Sequence, residues 1–89
     1  MTEVAFSSSF KRAFKKRIEG RKPLEEKFWK RLEWFKANPH DARLRTHKLT
    51  GELQDHWSFS IEYDVRVVFE FASQNRAVFQ DIGTHDDVY

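Results

Sequence analysis

The sequence predicts an α+β fold in one domain spanning residues 1–89: an N-terminal helical hairpin packed on one face of a small, twisted antiparallel sheet of three or four strands. Three observations predict it. Apolar residues recur at helical spacing up to Asn38-Pro39 and at every second position from Trp57 onward. Nine Phe, three Trp and two Tyr supply the bulk of a core, which must be dense because so short a chain buries only about 60% of its unfolded surface. Turn-forming residues, among them Gly20, Asn38-Pro39 and Ser73-Gln74-Asn75, separate the periodic runs.

Taken in order, Val4 to Phe6 suit a short opening strand. A serine among Ser7, Ser8 and Ser9 can then cap the first helix, because its hydroxyl accepts from an otherwise unpaired first-turn amide. Phe6, Phe10, Phe14 and Ile18 fall on one stripe of that helix or its approach, and Lys11, Arg12, Lys15 and Lys16 lie largely off it. Gly20 is a natural stop, and Pro23, with fixed φ and no amide proton, suits the first turn of a second helix. Leu24, Phe28, Leu32 and Phe35 make its stripe, which Asn38-Pro39 ends, since the residue before proline avoids the helical region. A strand around Leu44 to Leu49 is expected next. Trp57, Phe59 and Ile61 then alternate with Ser58, Ser60 and Glu62, and Val65, Val67, Phe69 and Phe71 with Arg66, Val68 and Glu70. Arg66 therefore points away from the aromatic face. Glu62-Tyr63-Asp64 reads as the tight connection between these two strands, and Ala77 to Ile82 as a last strand whose facing the pattern leaves open.

Net charge is only +2, but it is unevenly spread. Residues 1–50 hold fourteen Lys and Arg against six Asp and Glu, whereas residues 51–89 hold two against eight. The basic half suits a polyanion, nucleic acid above all, with Lys15, Lys16 and Arg17 as candidate contacts, although a solvated helix face has the same composition. There is no cysteine, hence no disulfide framework or thiolate metal site, and no segment resembles a signal peptide or membrane span. A cytoplasmic protein is expected.

The common catalytic constellations are missing: no thiol nucleophile, no glycine-rich phosphate loop, and four scattered histidines, His40, His47, His56 and His85, without metal-ligand spacing. What remains is metal-free acid–base chemistry on a phosphate ester. RNA suits it, because the 2′-hydroxyl is a built-in nucleophile needing only a base, a charge stabiliser and an acid.

Four stretches then carry a resemblance: His47-Lys48-Leu49-Thr50-Gly51, Trp57-Ser58-Phe59-Ser60-Ile61, Asp64-Val65-Arg66-Val67-Val68-Phe69 and Ile82-Gly83-Thr84-His85. In order and spacing they resemble the RelE/ParE toxin superfamily. The terminal Gly-Thr-His with Tyr89 four residues on is similar to its YafQ-like branch. The resemblance implies the toxin of a type II toxin–antitoxin system, a cofactor-free endoribonuclease that cuts mRNA in the ribosomal A site. Its implied partners are a cognate antitoxin, in a hetero-oligomer, together with the ribosome and mRNA. By the same likeness His85 and His47 are catalytic, with Asp64, and Arg66 stands where RelE-like and YoeB-like toxins keep a phosphate-binding arginine. Two positions depart from the YafQ-like pattern: Ser60 replaces a histidine and Asp81 an arginine. The positive charge then falls to Arg66 and Lys48.

Each candidate has a second reading. His85 can donate a proton to the leaving 5′-oxygen, since imidazole titrates near neutrality, or merely cap a C-terminal turn. His47 is a base, a substrate-positioning group or a structural histidine at a strand start. Arg66 either stabilises the pentavalent phosphorus or pairs across strands with Glu62, Asp64 or Glu70. Asp64 orients a histidine, acts as base, or simply makes a turn. Tyr89 stacks on RNA or frays. As whole-protein alternatives, a ParE-like toxin inhibits DNA gyrase without catalysis, and a degenerate scaffold has no activity.

Overall fold

The computed structural model describes residues 1–53 and 55–89. Its elements run β1 (Glu3–Phe6), α1 (Ser8–Arg17), α2 (Lys22–Ala37), β2 (His47–Lys48), β3 (Trp57–Glu62), β4 (Val65–Ser73), β5 (Arg76–Gly83) and α3 (His85–Val88). The fold is α+β as expected, but the sheet has five strands in the order β1-β5-β4-β3-β2. It is also mixed: β1 pairs with β5 in parallel, Glu3 beside Arg76 and Phe6 beside Phe79, while the other pairs are antiparallel. The strand anticipated over Leu44 to Leu49 shrinks to His47–Lys48, because Ala42–Leu44 forms a 3-10 turn first.

Local chemistry sets the helix limits. Ser7 caps α1, its Oγ accepting from the Phe10 amide at 3.0 Å, and Gly20 takes the left-handed φ of +89° that a β-carbon disfavours. Pro23 lies in the first turn of α2, and Asn38, in extended conformation, closes it. α1 packs chiefly along β5 and α2 against β3, and they meet through rings, Phe14 edge-on to Phe28 at 5.1 Å.

The core lies between helices and sheet. Phe35 from α2 meets Phe59, Phe69 and Phe79 from three strands at 4.9–5.2 Å between ring centroids, and all four are fully buried. A register shift between Val68 and Phe69 sets Phe69 opposite Phe79 but Val68 opposite Asp81. This bulge puts Ala77, Phe79 and Ile82 in the core, so β5 breaks strict alternation, and its facing was illegible in sequence for that reason. On the opposite sheet face lie His47, Ser58, Ser60, Arg66 and Asp81, crossed by the short α3. Among the described residues no helix is long and apolar enough to cross a membrane.

Candidate active site

The approach to His47 is built by three successive constraints. Asp41 caps the 3-10 turn, its carboxylate accepting from the Arg43 amide at 2.9 Å, and Leu44 is fully buried. Arg45 then adopts a left-handed φ of 54°, and its carbonyl lies 3.0 Å from Nδ1 of His47. A carbonyl oxygen only accepts, so Nδ1 carries a proton in this geometry, which leaves Nε2 as the nitrogen that can exchange one. The imidazole is exposed at the sheet edge, opposite Ser58.

Arg66 sits two strands away on the same face, between Ser60 and Gly83. Its Nε is buried and lacks a hydrogen-bond partner among the described residues. Two of the carboxylates expected to neutralise it are otherwise engaged: Glu62 pairs with Lys27 at 3.6 Å, and Glu70 accepts from Gln80 at 3.0 Å. Arg66 and His47 line one open cavity of about 420 Å³, together with Arg31, Arg43, Arg45, Ser60, Glu62 and Tyr63. Three of its arginines, Arg31, Arg43 and Arg45, escaped the sequence reading. The available signals were local: Asp41 two residues before Arg43, and Trp34 three residues after Arg31 on α2. Arg43 forks onto Asp41 at 3.1 and 2.8 Å, which holds the Asp41 carboxyl down at a pKa of about 2, and it stacks 3.8 Å from the Trp34 ring centre.

His85 belongs to a tightly tied tail. Thr84 caps α3, its Oγ accepting from the Asp87 amide at 3.3 Å while the Asp87 carboxylate accepts from the Thr84 amide at 3.0 Å. That second bond is the main reason the Asp87 carboxyl titrates below its ordinary range. Arg17 from α1 reaches the same place, donating to Asp81 at 3.0 Å and to the Ile82 carbonyl at 2.9 Å, with Asp87 at 3.9 Å. Gly83 makes room for this, since a β-carbon there would meet Asp87 Cβ at 2.7 Å. One turn on, Tyr89 stands edge-to-face with His85 at 4.6 Å. Tyr89 also lines a second cavity, of about 460 Å³, with His47, Lys48, Leu49, Thr50 and Glu52.

Of the residues singled out in sequence, the structure therefore joins His47 and Arg66 in one cavity and His47, Lys48 and Tyr89 in another, with His85 against Tyr89. Asp64 stands apart, exposed in the β3–β4 turn and lining neither cavity. Lys15, Lys16 and Arg17 do not form one basic surface: Lys15 lies apart from Lys16 and Arg17, which line one cleft. Lys15 borders an apolar groove with Phe14 and Trp29, Lys16 faces a cleft with Arg12 and His56, and Arg17 is engaged by Asp81 and the tail. Among the described residues no three His, Cys, Asp or Glu side chains are grouped to hold a metal ion.

The family model described as the bacterial toxin of type II toxin–antitoxin systems, YafQ, matches residues 2–89. The chain belongs to this YafQ toxin family. Its fold is similar to that of YafQ from E. coli strain BL21(DE3), at a TM-score of 0.82 and 16% identity over 100% of this chain and 99% of the other. A YoeB/ParE toxin from Agrobacterium tumefaciens is similar at 0.76 and 16%, covering 94% and 99% of the two chains. A chain of the E. coli DinJ–YafQ toxin–antitoxin complex is similar at 0.72 and 18%, covering 99% and 97%. Comparison with curated protein sequences returns no significant match. Against the YafQ-like pattern, the structure gives each departure a setting. Ser60 leaves open space beside Arg66 within the arginine-lined cavity, and Asp81 has its charge met by Arg17.

Proposed function

We propose that this YafQ-family toxin is a ribosome-dependent mRNA endoribonuclease that works by acid–base catalysis on the RNA 2′-hydroxyl. One observation carries the reading: His47, with its proton held on Nδ1 by the Arg45 carbonyl, opens into the same cavity as Arg66. An imidazole with a free Nε2 can take the proton of a 2′-hydroxyl, and a guanidinium freed of carboxylates can fork onto the phosphate oxygens as negative charge develops. The 2′-oxygen attacks phosphorus and the bond to the 5′-oxygen breaks. Protonated His85 supplies the proton to that leaving oxygen, giving a 2′,3′-cyclic phosphate and a free 5′-hydroxyl. His85 packs against Tyr89, which lines a cavity with His47 and Lys48, and in this reading Lys48 adds charge along the RNA path. Asp64, at the turn beyond Arg66, serves at most from the edge of this site.

These steps use protein groups alone, so a chelator is expected to leave cleavage intact once ribosome integrity is controlled. We also propose a cognate antitoxin as partner in a hetero-oligomer, as YafQ has in the E. coli DinJ–YafQ complex and YoeB in the Staphylococcus aureus YoeB–YefM complex. The deciding experiment is mapping of RNA 5′ ends after brief induction in cells. Cuts phased to codons support the reading; growth arrest with intact mRNA and inhibited DNA gyrase replaces it with a ParE-like mode.

A further inference from the structure

We infer that the arginine-lined cavity beyond His47 is a second nucleotide subsite, which holds the phosphate and base of the nucleotide adjoining the cleaved bond. The inference rests on the reading of His47 and Arg66 as reacting groups. Four guanidiniums, from Arg31 on α2, Arg43 and Arg45 in and just after the 3-10 turn, and Arg66 on β4, line a concavity of about 420 Å³, which is room for one nucleotide. One phosphate at the reacting centre needs one such group and Asp41 already meets Arg43, so the charges of Arg31 and Arg45 are left for a further anion.

Two of the four are already placed. Arg43 and Arg31 lie 3.8 and 4.7 Å from the centre of the same indole, Trp34, and Asp41 fixes the plane of Arg43 through Nε and Nη2. Stacked guanidiniums lose little freedom on binding and still present N–H groups at their edges, which favours a phosphate oxygen over a diffuse counterion. The lining also includes Glu62, whose carboxylate is engaged by Lys27 at 3.6 Å.

A base needs a different surface, and Tyr63 supplies it. The ring is 90% exposed at the β3–β4 turn and lines this cavity. An unburied tyrosine beside a phosphate site is a stacking platform for a single-stranded base, whereas a duplex would present only backbone. His47 borders both this cavity and the one lined by Lys48 and Tyr89. A strand laid over His47 therefore places one nucleotide on each side, each compartment offering a cation and an exposed tyrosine.

The test separates binding from chemistry. Ribosomes are programmed with mRNA carrying a 2′-deoxy nucleotide at the cut position, and toxin affinity is measured for wild type, Tyr63→Ala, Arg31→Gln and His47→Gln. Tyr63→Ala and Arg31→Gln should each bind roughly ten-fold more weakly, and Arg31→Gln should flatten the salt dependence by about one phosphate. The same comparison on mRNAs shortened on one or the other side of the cut should close that gap on one side only. An unchanged affinity in both variants, or a loss that persists whichever side is shortened, overturns the subsite. Cleavage of unmodified mRNA tests the underlying reading independently: if His47→Gln cuts as fast as wild type, the reacting groups are elsewhere and the subsite falls with them. His47→Gln that binds normally but does not cut leaves the subsite to stand or fall on the affinities.

Discussion

The two faces of the sheet are built on opposite principles. Toward the helices, Phe35, Phe59, Phe69 and Phe79 interlock with no accessible surface, and the neighbouring Val67 and Ile82 are equally dry. Toward the other side, Ser58 and Arg66 on the strands and His56 just before β3 hold, among the described residues, the buried side-chain polar atoms without a partner. Leaving such a group unsatisfied costs about 1–3 kcal/mol. Stability is thus concentrated on one face of the sheet and unmet hydrogen-bonding capacity on the other. The proposed RNA site makes use of one of these groups, Arg66, which lines the cavity shared with His47.

The sharpest way to test that division is to disable one face without the other. His47→Gln should lower single-turnover cleavage on programmed ribosomes by about 10²–10⁴-fold, the usual range for a lost acid or base, with no change in thermal melting. A matching drop in melting temperature would mean that His47 holds structure and that the faces are not separable. The converse change is Phe35→Ala, which empties the centre of the core and should destabilise by about 3–5 kcal/mol in denaturant unfolding. If activity at low temperature survives in the fraction still folded, the open face depends on the core only for its scaffold.

A smaller effect is expected where the two faces are joined. Gly83→Ala drives a β-carbon to within 2.7 Å of Asp87 Cβ and should destabilise by about 1–3 kcal/mol, with α3 loosened and with it His85 and Tyr89. Amide hydrogen exchange of residues 85–89 would then quicken while the strands stay protected; global loosening would show that the tail is part of the core. Smallest is an acid effect. The Asp41 carboxyl is held near pKa 2 by Arg43 against an ordinary 3.8. A depressed carboxyl stabilises the fold above its unfolded pKa, and the contribution is lost as pH falls through about 2. Asp87, lowered by its bond from the Thr84 amide, acts in the same direction. Both carboxylates are open to solvent in part, which screens them, so Asp41→Asn should shift the acid limb of the melting curve only slightly, and a large shift would move Asp41 into the structural core of the site.

What the sequence determined by itself was everything carried by short-range pattern. The stripes of Phe10 and Ile18 and of Leu24, Phe28, Leu32 and Phe35 are set by helical spacing, and the outward turn of Arg66 by strand alternation, both read within a few residues. Ser7, Gly20, Pro23 and Asn38 mark limits through their own backbone chemistry. Tertiary structure decided what depends on distant partners. The parallel pairing of β1 with β5 joins residues more than seventy positions apart, and the bulge opposite Val68 is visible only once β5 is laid against β4. Arg17 looked like a free cation in sequence, and only the fold places Asp81 beside it, 64 positions away. The arginine-lined cavity follows the same rule: Arg31, Arg43, Arg45 and Arg66 share no periodicity, and what brings them together is the packing of α2, the 3-10 turn and the strands around one core that includes Leu32, Leu44 and Val67, since apolar packing chooses which polar groups end as neighbours.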